Sequence, residues 1–290
     1  MTWNVRTSTD RYEIYELAEA ETDSAVRVCP ERGGIAIGCR LHGRELLYLD
    51  RGTFLDPSAN IRGGIPVLFP ICGQLEGGEY EWEGVRYAMK NHGVARISPW
   101  EVAGTGTDGE ASLTLVLRSG EATMVSYPFA FELQFTYALS GGTLAIRQSY
   151  RNLSDRSMPV QAGFHPYFAT AAKKLRYDTD ATRYLDYNDG REKPFDGAID
   201  LSGLVESVAL LDPRTPRIAF ELDGIGRVEM RYSKVFGKVV LWSVEGKPFV
   251  CVEPWTALNG ALNRKEGLIP VAPGDALEAE LTIRLDPAAK

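Results

Sequence analysis

The sequence predicts an all-β fold, a sandwich or barrel of mostly antiparallel strands with very little helix, and three observations carry that expectation. Apolar residues recur at every second position over long stretches, which sets them on one face of a pleated strand. Turn-forming pairs interrupt these stretches at short intervals: Gly33-Gly34, Gly77-Gly78, Asp108-Gly109, Gly141-Gly142 and Asp189-Gly190. With 29 glycines and 16 prolines, no segment keeps an apolar stripe of helical spacing through three turns.

Along the chain, Leu113, Leu115 and Leu117 mark the first clear strand. They follow Gly104-Thr105-Gly106-Thr107-Asp108-Gly109, a formal G-x-G-x-x-G. A dinucleotide site needs a helix after those glycines, and a strand pattern follows here, so the motif reads as a hairpin turn. Phe129, Phe131, Leu133, Phe135, Tyr137 and Leu139 form the longest alternating run, and Leu144 and Ile146 resume it after Gly141-Gly142. The polar stretch around Arg176 to Lys193 reads as an insertion or long loop. Ile218, Phe220 and Leu222 alternate up to Asp223-Gly224, with Val228 and Met230 beyond it; Leu277, Ala279, Leu281, Ile283 and Leu285 follow near the end. No repeat, low-complexity tract or linker divides the chain, so one domain over residues 1–290 is expected.

Composition narrows the function. The chain has 32 basic and 39 acidic residues, a net charge of −7, which argues against a nucleic-acid backbone as partner. The apolar run Ile65 to Cys72 is broken by Pro66 and Pro70 and falls far short of the roughly 20 residues of a membrane span. The opening segment MTWNVRTSTD lacks a basic cluster followed by an apolar stretch, so no secretory signal is expected. Cys29, Cys39, Cys72 and Cys251 show no C-x-x-C spacing and read as reduced core residues of a cytoplasmic protein. The three histidines stand far apart and no close ligand set appears, so no metal site is expected. There is no G-x-S-x-G elbow and no phosphate-binding P-loop.

Four segments carry possible chemistry. In Asn60-Ile61-Arg62-Gly63-Gly64-Ile65-Pro66, paired glycines allow close backbone approach beside one arginine, which either meets a ligand or pairs a core carboxylate. Lys90-Asn91-His92-Gly93-Val94-Ala95-Arg96 and Gly163-Phe164-His165-Pro166-Tyr167-Phe168 each hold one histidine among apolar and glycine neighbours. Histidine titrates nearest neutrality and suits proton transfer, though a satisfied structural histidine fits the same pattern. His42, in a polar run, reads as an exposed turn residue. Glu253 ends the apolar strand Phe249 to Val252 just before Pro254-Trp255. Desolvation there would raise its pKa toward the range of a general base, and a buried arginine would instead make it a salt bridge. Trp255 offers a flat face for a sugar ring or for the core.

These four segments, in this order, resemble the aldose 1-epimerase (galactose mutarotase) superfamily, nearest its bacterial aldose-epimerase-like and hexose-6-phosphate mutarotase-like branches. Arg62 to Pro66, His92 to Arg96, His165 to Phe168 and Val252 to Trp255 carry the likeness. The resemblance implies a β-sandwich of galactose-mutarotase type (a supersandwich) with an open sugar cleft across one sheet. It implies that Glu253 is the base taking the anomeric hydroxyl proton and His165 the acid protonating the ring oxygen. His92 would bind the sugar and stabilise its open form, and Arg62 would hold a sugar oxygen. No cofactor is implied. The partner is a small-molecule sugar, and the protein a monomer or homodimer.

The sequence departs from that pattern in one place. The family's sugar-binding aspartate has Glu206 as its best positional match, with Asp196 and Asp200 nearby. Arg62, Arg96, Arg86 and Lys90 could supply donors to a phosphate. The segments Ile71 to Leu75 and Trp255 to Asn263 look more like the branch acting on unphosphorylated aldoses, so a free hexose is the expected substrate. Hexose 6-phosphate epimerisation and a non-catalytic sugar-binding role are the alternatives. Glycoside hydrolysis ranks last, because only one convincing carboxylate is present.

Overall fold

The computed structural model describes residues 2–288. Their strands pair antiparallel, and the α-helices among them, Arg51–Leu55, Glu121–Met124 and Ala261–Arg264, span five residues at most. The alternating runs form the centre of a nine-stranded sheet, in which Phe131–Ser140 lies between Ala111–Arg118 and Thr143–Asn152, and Ala276–Pro287 lies between Thr143–Asn152 and Gly226–Tyr232. Every second residue of these strands is inward: Phe131, Leu133, Phe135, Tyr137 and Leu139 are wholly buried. The formal G-x-G-x-x-G is a hairpin between Glu101–Gly106 and Ala111–Arg118.

An eight-stranded sheet packs across this core. Phe135 meets Phe164 with ring centroids 6.0 Å apart, and Phe220 meets Phe168 at 5.0 Å. A five-stranded sheet from Trp3–Thr9 to Arg44–Glu45 flanks the sandwich. Glu19 ties it on, accepting the N–H groups of Gly141 and Gly142 at 2.8 and 2.7 Å.

The stretch Arg176 to Lys193 is not a loop. Lys174–Asp178 joins the nine-stranded sheet, while Arg183–Asp186 and Arg191–Pro194 pair at the edge of the other. These strands are short and mostly exposed, so their apolar residues, chiefly Leu175 and Tyr177, are too few to set up a visible period. His42 is half-buried rather than exposed, because its imidazole covers Gly142.

The eight-stranded sheet positions the site. In Phe249–Trp255, Val250 and Val252 enter the main core, while Cys251, Glu253 and Trp255 face the opposite side. Lys238–Trp242 and Tyr167–Ala169 flank this strand in the same alternation. Register sets Val240 opposite Glu253, and both Trp242 and Tyr167 opposite Cys251. Loops finish the wall. Gly63 and Gly64 have φ of 137° and 67°, and a Cβ on Gly64 would come within 2.4 Å of the Ala36 carbonyl oxygen. His92 and Gly93 are also left-handed, with Gly93 pressed on the Phe69 carbonyl.

Gly93→Ala would set a Cβ 2.2 Å from that carbonyl at a φ of 79°. It is expected to lower stability by about 2 kcal/mol or more, seen as a reduced denaturant midpoint. An unchanged midpoint would mean that the loop carrying His92 is not held by this contact.

Candidate active site

An open cleft of about 280 Å³, at the small end of ligand-site sizes, lies on the outer face of the eight-stranded sheet. His165 and Glu253 meet at its floor, 5% and 1% exposed, with His165 Nε2 3.4 Å from Glu253 Oε1. The other carboxyl oxygen, Oε2, accepts the Trp255 indole N–H at 3.1 Å. The His165 ring stacks on Tyr167 at 4.6 Å and stands edge-on to Trp242 at 5.7 Å, so aromatic faces fix its plane. Its Nδ1 is buried without a hydrogen-bond partner among the described residues.

His92 stands 5.2 Å from His165, ring centroid to ring centroid. Its Nδ1–H donates to the Cys72 carbonyl oxygen, which fixes the tautomer and leaves Nε2 as an acceptor. Its backbone N–H donates to the Gly73 carbonyl at 2.9 Å, fastening the loop.

Arg62 and Arg96 also line the cleft. Arg62 lies 5.7 Å from the Trp242 ring, and Arg96 donates to the Ile61 carbonyl at 3.3 Å. Neither forms an ion pair with a carboxylate among the described residues, so both cations are available to a ligand. Glu206 lines the rim, its backbone pinned on both sides by Asn188 while its carboxylate stays exposed. Asp196 and Asp200 instead cap local turns away from the cleft.

Lys90 and Arg86 do not join the site. Lys90 is exposed in the turn closed by the Gly93 N–H on its carbonyl, a turn that gives Asn91 and His92 to the cleft and leaves Lys90 outside. Arg86 is exposed on the hairpin Glu79–Trp82/Val85–Ala88. Trp255 lines the cleft but is only 3% exposed, and its N–H is spent on Glu253, so it presents little of an open stacking face. Tyr167, Trp242 and Asn259 line the cleft without having been singled out. Tyr167 was readable from its place two residues after His165, where the strand Tyr167–Ala169 begins. Asn259 was not, since only folding brings it to Gly73 and Gln74.

Burial dominates the protonation of the site. Desolvation pushes the Glu253 carboxyl well above its usual range, against the Trp255 hydrogen bond and the Arg96 charge, which both favour the carboxylate. Desolvation also pushes His165 well below its usual value, helped by His92, Arg96 and Arg62. His92 falls to about 3, through burial first and the Arg96 charge second. His165, Cys251 and Glu253 bring nitrogen, sulfur and oxygen donors within 4.8 Å of one another. The thiol does not line the cleft and burial holds its proton on, so this set suits proton exchange between His165 and Glu253 better than a cation. All four cysteines are buried and free.

Comparison with known proteins agrees with this architecture. The chain matches the aldose 1-epimerase family model over residues 22–284, and it belongs to that family. The crystal structure of Slr1438 from Synechocystis sp. PCC 6803 is 37% identical, with a TM-score of 0.92 over 98% of this chain and 99% of that one. A galactose mutarotase related enzyme from Lactobacillus acidophilus shares the fold at 22% identity, with a TM-score of 0.76 over 99% of this chain and 100% of that one. LacX of Lactococcus lactis is 25% identical over 232 residues, 69% of this chain and 76% of its own. No helix among the described residues is long and apolar enough to cross a membrane.

The His92 shift sets a pH dependence of stability. The unfolded imidazole takes up a proton below its ordinary pKa of 6.5, whereas the folded one does so only near 3. Its contribution is therefore complete above pH 6.5 and is lost as the pH falls toward 3. His92→Asn is expected to flatten the loss of denaturant stability over that interval relative to wild type. An equally steep profile would contradict the burial of a neutral imidazole here.

Proposed function

We propose that this protein is a mutarotase, interconverting the α and β anomers of an aldohexose. The observation that carries the reading is the 3.4 Å approach of His165 Nε2 and Glu253 Oε1 at the floor of an open polar cleft. Glu253 takes the proton from the anomeric hydroxyl as His165 gives one to the ring oxygen. The bond between the anomeric carbon and the ring oxygen breaks, its electron pair going to that oxygen, and the hydroxyl becomes the aldehyde carbonyl. Rotation about the bond to that carbon and closure with the roles reversed yield the other anomer. His92 Nε2 accepts a hydrogen bond from a sugar hydroxyl, while Arg62, Arg96 and Glu206 hold the remaining oxygens. Proton transfers are sufficient for this chemistry, and no cofactor is called for.

The unliganded pair holds one proton: a neutral acid beside a neutral imidazole is a tautomer of the carboxylate–imidazolium pair that begins the reaction. A second proton arrives only below the ordinary histidine value of 6.5, because burial lowers His165. The last one leaves only above the ordinary carboxylate value of 4.5, because burial raises Glu253. The acid limb of the activity profile therefore lies below 6.5 and its alkaline limb above 4.5; an acid limb above 6.5 would contradict the assignment.

A second reading, in which the hexose carries a phosphate, is favoured by Arg62 and Arg96, two cleft cations that pair with no carboxylate among the described residues. Both readings take the chain as one domain acting in the cytoplasm, as a monomer or homodimer. Optical rotation of freshly dissolved free and phosphorylated hexoses, at low buffer concentration, tests them together. The protein is expected to speed the decay for at least one class, and Glu253→Gln to cut the enzymatic rate by roughly 10²–10⁴-fold. Wild-type rates equal to buffer across the panel would overturn the proposal.

A further inference from the structure

Trp255 occupies a slot made for an indole. At one end a Cβ on Gly163 would fall 2.9 Å from Trp255 Cδ1, and also 2.8 Å from the Pro254 carbonyl oxygen. At the other end a Cβ on Gly73 would fall 3.0 Å from the far ring carbon Cη2, and 1.7 Å from Asn259 Oδ1. Asn259 Oδ1 accepts the Gln74 N–H at 3.0 Å, which holds the Gly73 end in place. The strand pairing that sets Gly163 opposite Trp255 holds the other end. A side chain at Gly163 would press on the ring, and one at Gly73 would displace Asn259 and crowd the ring's far end, so both glycines fit closely about the indole where it lies. In that position the N–H meets Glu253 Oε2.

We infer that Trp255 is a positioning residue of the catalytic carboxyl group: the clamped indole engages Oε2, so that Oε1 is the oxygen turned to His165 and the substrate. The inference rests on the mutarotase reading for its kinetic consequences, though not for its structural ones. Glu253 and Trp255 share one face of one strand at i and i+2, so the donor and the carboxyl group move as a unit. The N–H strengthens its bond as negative charge grows on the carboxylate, and it therefore favours the ionised form in a pocket whose burial opposes ionisation. A sugar-stacking role would need an open ring face and would leave the N–H without consequence for Glu253.

Trp255→Phe keeps an aromatic ring in the slot and removes the donor. With a hexose that the wild type turns over, kcat is expected to fall roughly 10- to 100-fold with KM nearly unchanged, the range of a hydrogen bond to a charged group. A stacking role predicts the opposite split, a raised KM with kcat kept, and that result would overturn the inference. A second measurement needs no substrate: NMR titration of the Glu253 side-chain carboxyl carbon in the wild type and in Trp255→Phe. The variant is expected to titrate at higher pH, and coincident titration curves would overturn the inference whether or not the protein proves to be a mutarotase. Failure of the mutarotase reading alone would appear as absent turnover beside a shifted titration. Gly163→Ala, which pushes on the indole and on the Pro254 carbonyl, is expected to shift the titration in the same direction; circular dichroism and the denaturant midpoint report whether each variant is folded.

Discussion

A carboxyl group taken almost wholly out of water is the constraint on which the site depends. Glu253 is 1% exposed, and an ionised carboxylate there without compensation would cost several kcal/mol. No arginine or lysine forms a salt bridge with it among the described residues. What faces it are an indole N–H and an imidazole, groups that allow either a neutral or an ionised pair. The same burial that favours the neutral tautomer strengthens every interaction with a charge that develops during a reaction. Burial thus holds the unliganded pair neutral, and a bound ligand with its own donors and acceptors can shift it toward the ionised form.

The sheet makes this possible through register. Three adjacent strands alternate inward and outward in phase, so Val239, Leu241, Val250 and Val252 fill the core while Trp242, Cys251, Glu253 and Trp255 face away. A slip of one residue in Phe249–Trp255 would send Glu253 into the hydrophobic core and Val252 into the cleft. The apolar packing on one side therefore specifies the chemistry on the other.

Much of this was legible in the sequence. The nine-stranded sheet was, because its inward residues alternate over long strands. The stretch from Arg176 to Lys193 was not, since short strands near the sheet edges with at most two buried side chains leave no period to detect. At the site, His92, His165 and Glu253 were marked by their rarity and their apolar flanks. Lys90 and Arg86 lie outside the cleft, and a positive charge near a motif says nothing about which side of a turn it faces. For Trp255 the residue was visible but its partner was not: an aromatic ring after a strand offers stacking, and only the register and the two glycines show its N–H turned back onto Glu253. Asn259 depends wholly on tertiary contact and left no signal.

The charge of the cleft follows from the same geometry. Arg62 and Arg96 sit near a carboxyl group that burial keeps protonated, so the site presents positive charge in a protein of net −7. The central claim is spatial: that a sugar's anomeric carbon sits between Glu253 and His165. A crystal structure with a bound hexose tests it most directly. The account predicts the anomeric hydroxyl within hydrogen-bond distance of Glu253 and the ring oxygen facing His165 Nε2. A sugar lying in the cleft with its anomeric carbon turned away from both side chains would contradict it.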